Sequence, residues 1–351
     1  MCPESVGANI RTNALKGRRM NLFIRIAGSI LCASTACLFE TEAGVSGYIS
    51  PEKNGGSRLD IGVEGRLTTG KSAWEISFVD MLPGVGVHEG RSKLVWDELD
   101  SFMTVLNAEF RIKPWLGISG SAGLGGIRGG HGRDTDYIRD PDSGADFILL
   151  ESVSDTRGDA TLLDLNLNFN LNEILSLDES SITWDVVIGY QYYEEELNDR
   201  AGVETVFLGE EIYEPFPGLD STFDFKWQAA RTGIRGAYPV NDRLSITGTA
   251  ILLWAVRYRG EGFWNLRSDF ISESPNFIQK GDGGTGAELK TSIVYDVTQN
   301  LFLEIGYWWI SLRVRNGTDR IFFADGTEGK THLDWARSYR HGAFAGLSGR
   351  F

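Results

Sequence analysis

The chain has 351 residues, with 43 glycines, 9 prolines, 11% aromatic side chains and a formal net charge of −14. That balance argues against a general nucleic-acid partner, because neutralising phosphates takes clustered Lys and Arg. The only cysteines are Cys2, Cys32 and Cys37, so a mature chain lacking that region has no disulfide framework and no thiolate metal site, and neither metal nor cofactor is expected.

Residues 1–43 read as a leader, with Met20 as the natural start. Lys16, Arg18 and Arg19 precede an apolar run from Ile26 to Phe39, and Thr41-Glu42-Ala43 ends on a small residue suited to cleavage. Basic head, short apolar run and small exit form the tripartite pattern of a secretory signal. The run is short for a helix that must span roughly 20 residues of bilayer.

The barrel is expected over 44–351, and past residue 57 the dominant period is two, which sends alternate side chains to opposite faces of a strand. Leu163, Leu165, Leu167, Phe169 and Leu171 alternate with Asp164, Asn166, Asn168 and Asn170. Similar rows run through Leu59–Val63, Leu106–Ile112, Ile182–Tyr192, Leu244–Tyr258, Leu289–Val297, Leu301–Trp309 and Tyr339–Phe351. With less regular segments near 115–130 and 221–237, they predict about ten strands, an even number as single-chain outer-membrane barrels require. Mean hydropathy is only −0.17, as expected when lipid-facing and lumen-facing residues alternate.

Short turns are expected at Lys113-Pro114, 172–181, 239–243 and 297–300, and long polar loops near 70–91, 134–157, 199–220, 261–282 and 317–334. Short periplasmic turns and long external loops are the asymmetry of this class. Tyr and Trp near strand ends, as in Trp184/Tyr190/Tyr192 and Tyr307/Trp308/Trp309, suit interfacial girdles. The chain ends on an aromatic, Phe351, which resembles the assembly signal of outer-membrane barrels. The expected fold is an all-β transmembrane antiparallel up-and-down barrel in the bacterial outer membrane, bathed in its lipid, with the long loops outside. Glu64, Arg66, Glu109, Arg111, Arg257 and Arg259 are expected to fill a narrow lumen.

Gly129-Gly130-His131-Gly132-Arg133-Asp134-Thr135-Asp136 closes the third strand. With Ser92–Trp96 before it, Ile188-Gly189-Tyr190-Gln191 on the fifth strand and Ala345-Gly346-Leu347 near the end, this order resembles the omptins, outer-membrane endoproteases with ten strands. The likeness spans roughly 45–351. In that family an Asp pair faces an Asp–His pair across the cleft, and a water between them attacks the scissile carbonyl. Asp134 and Asp136 match the first pair, and a spacing of two puts both on one face of a strand. Read without the family, they are solvated loop acids.

The second pair is not matched. The stretch after the seventh strand, Arg257 to Arg267, holds no histidine, and none occurs between His131 and His332. Glu261 could supply a carboxylate there, and Glu75 lies near the omptin acid that selects basic residues. Omptins also bind lipopolysaccharide through an arginine following Gly-Tyr-Gln; Glu194 stands at that place, which reverses the charge and weighs against lipopolysaccharide as a partner. The resemblance with half a site leaves three functions open. One is a non-catalytic surface adhesin or receptor with an acidic cleft for basic peptides or proteins. Another is an omptin-type aspartic endopeptidase with a rearranged site, and the third is a narrow porin-like channel.

Overall fold

The computed structural model describes residues 58–82, 86–140, 143–177, 182–273 and 275–351, so the expected leader lies outside the described residues. Ten strands follow in order: β1 Arg58–Leu82, β2 Gly86–Lys113, β3 Leu116–Arg139, β4 Asp146–Asn170, β5 Thr183–Phe207, β6 Glu210–Asn241, β7 Leu244–Phe263, β8 Phe277–Thr298, β9 Leu301–Phe322 and β10 Glu328–Arg350. One short helix, α1 Leu171–Leu175, joins β4 to β5. Every strand is antiparallel to its neighbours, and the ring closes where β1 meets β10, from Asp60 opposite Arg350 to Ser77 opposite His332. Phe351 seals the seam, its amide donating to the Leu59 carbonyl at 2.8 Å.

The faces follow the sequence rows. Leu163, Leu165 and Leu167 are exposed, whereas Asn166, Asn168 and Asn170 between them are buried. This is inverted relative to a soluble sandwich, and it is what hydrocarbon outside and a filled lumen inside require. The strands run 20 to 32 residues, well beyond the roughly 9–11 that cross a bilayer. The excess continues as paired hairpins at one end, so most of the expected long loops are strand. Their polar composition reflects water on the outer face, and pairing still satisfies the backbone.

Several strands change phase part-way up, and four of them do so at one non-glycine residue in the left-handed region: Glu98 on β2, Ala201 on β5, Ala255 on β7 and Asn316 on β9. One extra residue in a strand moves every later side chain to the other face. On β7 the pairing shifts around Ala255, and Leu252 and Trp254 below it are exposed while Val256 and Tyr258 above it are buried. Arg257 and Arg259 therefore point outward, onto Asp282 and Glu261, and do not fill the lumen as expected. Trp308 is likewise inside, since alternation alone separates it from Tyr307 and Trp309.

The lumen has two storeys. Toward the short turns it is polar. Arg235 bridges Glu109 at 2.7 Å and Asp185 at 2.6 Å, Arg231 bridges Asp164 at 2.9 Å and Glu288 at 2.7 Å, and Glu64 joins Arg66 and Lys290. Above, Arg340 and Glu195 meet at 2.7 Å, both side chains almost wholly buried, and Tyr193 donates to Glu195 at 2.8 Å. The upper storey is apolar. Trp74, Trp96, Trp227, Phe223, Phe225, Tyr258 and Phe277 form a continuous core with Leu253, Ile310 and Leu333.

Removing one member of a buried ion pair strands the other charge, at a cost of about 3–5 kcal/mol, whereas replacing both with apolar groups is often near neutral. Arg340→Met alone should therefore lower the unfolding midpoint of the detergent-folded barrel sharply, and Glu195→Leu/Arg340→Met should restore most of it. The check is urea unfolding followed by the shift between folded and unfolded bands on a gel.

Candidate functional site

The Asp couplet sits inside the rim, above the apolar storey. Pairing of β3 with β4 shifts between Ile127 and His131. The inward set passes from Ile127 to Gly132, Asp134 and Asp136, which side with Ser92, Leu94 and Trp96 of β2. Asp134 lies opposite Leu94, and Asp136 lies opposite Ser92. Asp136 accepts a hydrogen bond from Ser92, and one carboxylate oxygen of Asp134 is buried with no hydrogen-bond partner. A third carboxyl, Asp199 of β5, accepts from Trp96 Nε1 at 3.0 Å and from Thr156 Oγ1 at 2.5 Å. Gly132 lets the strands close here, because a Cβ at that position would fall 2.8 Å from the Asp199 carboxylate. Sequence reasoning missed Asp199. Its signal, the odd-numbered inward row of β5, was legible, but its neighbours in space were not.

Burial raises all three carboxyls. Asp134 is held well above the ordinary aspartate range by desolvation and then by the charge of Asp136, with Arg267 pulling the other way. Asp136 is raised by desolvation against the Ser92 hydrogen bond and Arg267. Asp199 is pushed up to about 6 by burial, against the hydrogen bonds from Thr156, Trp96 and Ser154. The group holds protons more tightly than free aspartates, and a cation brought to it favours their ionised forms.

The wall formed by β7 to β9 is largely aromatic, with one buried carboxyl, Asp319 of β9, beside Gln279 and pushed up to about 6 by burial. On β7 the inward positions after Tyr258 are Gly260 and Gly262. A Cβ at Gly260 would collide with the Tyr258 hydroxyl, and one at Gly262 would collide with the Phe277 ring. Aromatic rings thus occupy the space that a second dyad would need. Beyond β7 the chain crosses the mouth as a strap. Trp264 packs on Phe277 with ring centroids 4.6 Å apart, Asn265 Nδ2 donates to the Gly218 carbonyl at 2.7 Å, and Phe270 pairs with Phe323. This strap brings Arg267 into the field of the couplet. The guanidinium lies over Phe270 at 4.3 Å and clasps Asp269 through two hydrogen bonds of 2.9 and 2.7 Å.

The other residues singled out in the sequence stand apart from the couplet. Glu75 is outward, since Trp74 and Ile76 beside it point in, and it meets Arg91 at 3.5 Å. Glu261 is turned outward by the Ala255 bulge and pairs with Arg259. Both are therefore removed from the cleft in which they were expected. His131 is exposed near Glu98 and Asp155, His332 is exposed beside Asp334, and His341 bonds Tyr307 on the outer wall. The side chain of His88 lies outside the described residues. Among the described residues, no imidazole faces Asp134 and Asp136.

The family described as Protochlamydia outer membrane protein matches residues 72–341. Among solved structures, the outer membrane protease OmpT of Escherichia coli superposes with a TM-score of 0.69 at 16% identity, over 84% of this chain and 97% of that one. This likeness is one of fold. A major outer membrane protein of Thermus thermophilus covers 84% of this chain and all of its own at 11% identity, with a TM-score of only 0.29. No curated protein matches.

An acid whose folded-state pKa is raised contributes stability that is complete below the unfolded value and is lost as pH rises through the folded value. For Asp199 the window runs from the ordinary aspartate value of 3.8 to about 6. Heating scans in detergent at pH 4 and pH 7 should show a fall in melting temperature with rising pH. Asp199→Asn should flatten part of that fall, by on the order of 2 kcal/mol at most.

Proposed function

This chain belongs to the Protochlamydia outer membrane protein family, and on that footing we propose that it is a non-catalytic surface receptor or adhesin. Its long hairpins face the cell exterior, and its mouth takes cationic groups of a partner, the Lys and Arg side chains of a basic peptide or protein. The observation that carries this reading is the pair Asp134 and Asp136, half-buried in the field of Asp199, with the glycines of β7 packed against the Tyr258 and Phe277 rings where the matching histidine is missing. Buried carboxyls near one another favour an incoming cation, which relieves their mutual repulsion and supplies the partner that the unbonded Asp134 oxygen lacks. Hydrolysis by water needs a general base titrating near neutrality, a contribution of roughly 10²–10⁴-fold.

One observation favours a second reading. The upward shift of Asp134 and Asp136 lets the couplet hold a proton at higher pH than free aspartate, which suits an acid–base pair in a rearranged endopeptidase. A diffusion channel has less support, because the apolar storey fills the lumen beneath the mouth.

Refolded protein incubated with fluorescent peptides carrying paired Lys and Arg separates the readings. The receptor reading expects salt-sensitive binding and intact peptide, with Asp134→Asn/Asp136→Asn weakening affinity about tenfold. Cleavage that disappears in Asp134→Asn would establish the endopeptidase instead. Equal binding by wild type and the double variant would remove the mouth as the binding site.

A further inference from the structure

The outer wall carries charges of one sign at a place the cleft does not involve. Arg313 and Arg315 of β9 and Arg337 of β10 are all exposed, and the residues flanking them, Leu312, Val314, Ala336 and Ser338, are buried in the lumen. Arg313 stands directly across the ladder from Arg337, and Arg315 across from Trp335, over whose ring Arg337 lies at 4.9 Å. Among the described residues no carboxylate pairs with any of the three. The nearby acids are engaged elsewhere: Glu75 with Arg91, Asp97 with Lys71, Asp282 with Arg257, and Asp334 with Ser77. Desolvation and the repulsion of Arg315 and Arg337 hold the Arg313 guanidinium below its usual range. Like charges directly opposite on a ladder are destabilising, so the arrangement is unfavourable in the bare protein.

Immediately toward the membrane the wall changes character. Tyr339 stacks on His341 at 5.8 Å with an interplanar angle of 1°, and the Tyr307 hydroxyl meets His341 Nδ1 at 2.7 Å. Below this belt come Ile305, Ile293, Leu303 and Leu347, all exposed. Arginines above an aromatic belt above aliphatic wall match, in order, an anionic headgroup and its chains. The opposite side of the rim is built differently, since on β5 and β6 Lys226 is held by Asp224 and Glu194, and Arg200 by Asp220.

We propose that Arg313, Arg315 and Arg337 form a docking site for a membrane lipid with a terminal phosphate, its acyl chains lying along Tyr307, Ile305 and Ile293. Three guanidiniums favour a phosphate monoester over a zwitterionic headgroup, because the monoester brings nearly two negative charges and free oxygens for paired N–H donors. The lipid's charge would remove the Arg313–Arg337 repulsion.

The test uses the full barrel in lipid-free maltoside detergent, with phosphatidic acid, phosphatidylcholine or inorganic phosphate added. Retained lipid is read by native mass spectrometry and stability by melting temperature. Wild type should retain and be stabilised by phosphatidic acid alone. Arg313→Gln/Arg337→Gln should retain it roughly tenfold less well, and Lys226→Gln should match wild type. Without lipid, the double variant should melt no lower than wild type, since it loses a repulsion. Arg315→Gln, which leaves the cross-strand pair in place, should weaken retention in the same direction and serves if the double variant does not fold. Equal retention by wild type and the arginine variants would overturn the proposal. So would stabilisation by inorganic phosphate as large as that by phosphatidic acid, which would mark a soluble-anion site, or a double variant that melts lower without lipid, which would mark a structural role.

Discussion

Closure of the ring is the constraint on which everything else depends. A sheet in hydrocarbon cannot leave a row of backbone amides and carbonyls unpaired. β1 must therefore meet β10, and the amide of Phe351 bonded to Leu59 completes that seam. Once the ring is closed, each strand has one face for lipid and one for the lumen. The lumen of ten strands is narrow enough that its side chains must either pack or pair. The two storeys are the two solutions. Arg231 and Arg235 pair with carboxylates low in the ring, Arg340 pairs with Glu195 above them, and rings and aliphatic chains pack higher still.

The strands, their number and their lipid faces were legible because period two survives wherever one side meets hydrocarbon. Leu163 to Phe169 needed no structural knowledge to be read as a wall. What the pattern hid were the phase changes. Left-handed backbone in a sequence is normally signalled by glycine, yet here it falls on Glu98, Ala201, Ala255 and Asn316. Nothing in the residue types marks Ala255, so Val256, Tyr258, Arg257 and Arg259 were assigned to the wrong faces. Polar composition misled in the same region: the hairpin ends look like loops because water bathes their outer side, while their ladders continue.

The site divides along the same line. Asp134 and Asp136 were legible as a couplet with a spacing of two, on a strand whose order resembles the omptins. Their environment was not. Asp199, Trp96 and Arg267 come from β5, β2 and the strap after β7, and only the closed ring brings them near β3. The sequence also shows that no histidine follows the seventh strand, but not why one would be excluded. Gly260 and Gly262 sit against Tyr258 and Phe277, so the glycines are a consequence of the aromatic packing around them.

That packing links the mouth to the rest of the molecule. The phase change at Ala255 turns Tyr258 inward, and Tyr258 lies 4.6 Å from Trp227 and donates to Gln279 at 2.9 Å. The same change sends Arg257, Arg259 and Glu261 out to water, where they pair locally and leave the inner face of β7 above Ala255 without charged side chains. An acidic cluster above a storey of aromatic rings, with Arg267 of the strap in its field, is suited to holding an amine or guanidinium between carboxylates and rings, since both attract cations. Without the bulge, the alternation of β7 would carry Arg257 and Arg259 in among the aromatic rings beneath the couplet, and the lumen there would have cations of its own. The selectivity proposed for the mouth therefore rests on one left-handed alanine, some distance from the carboxyls it serves.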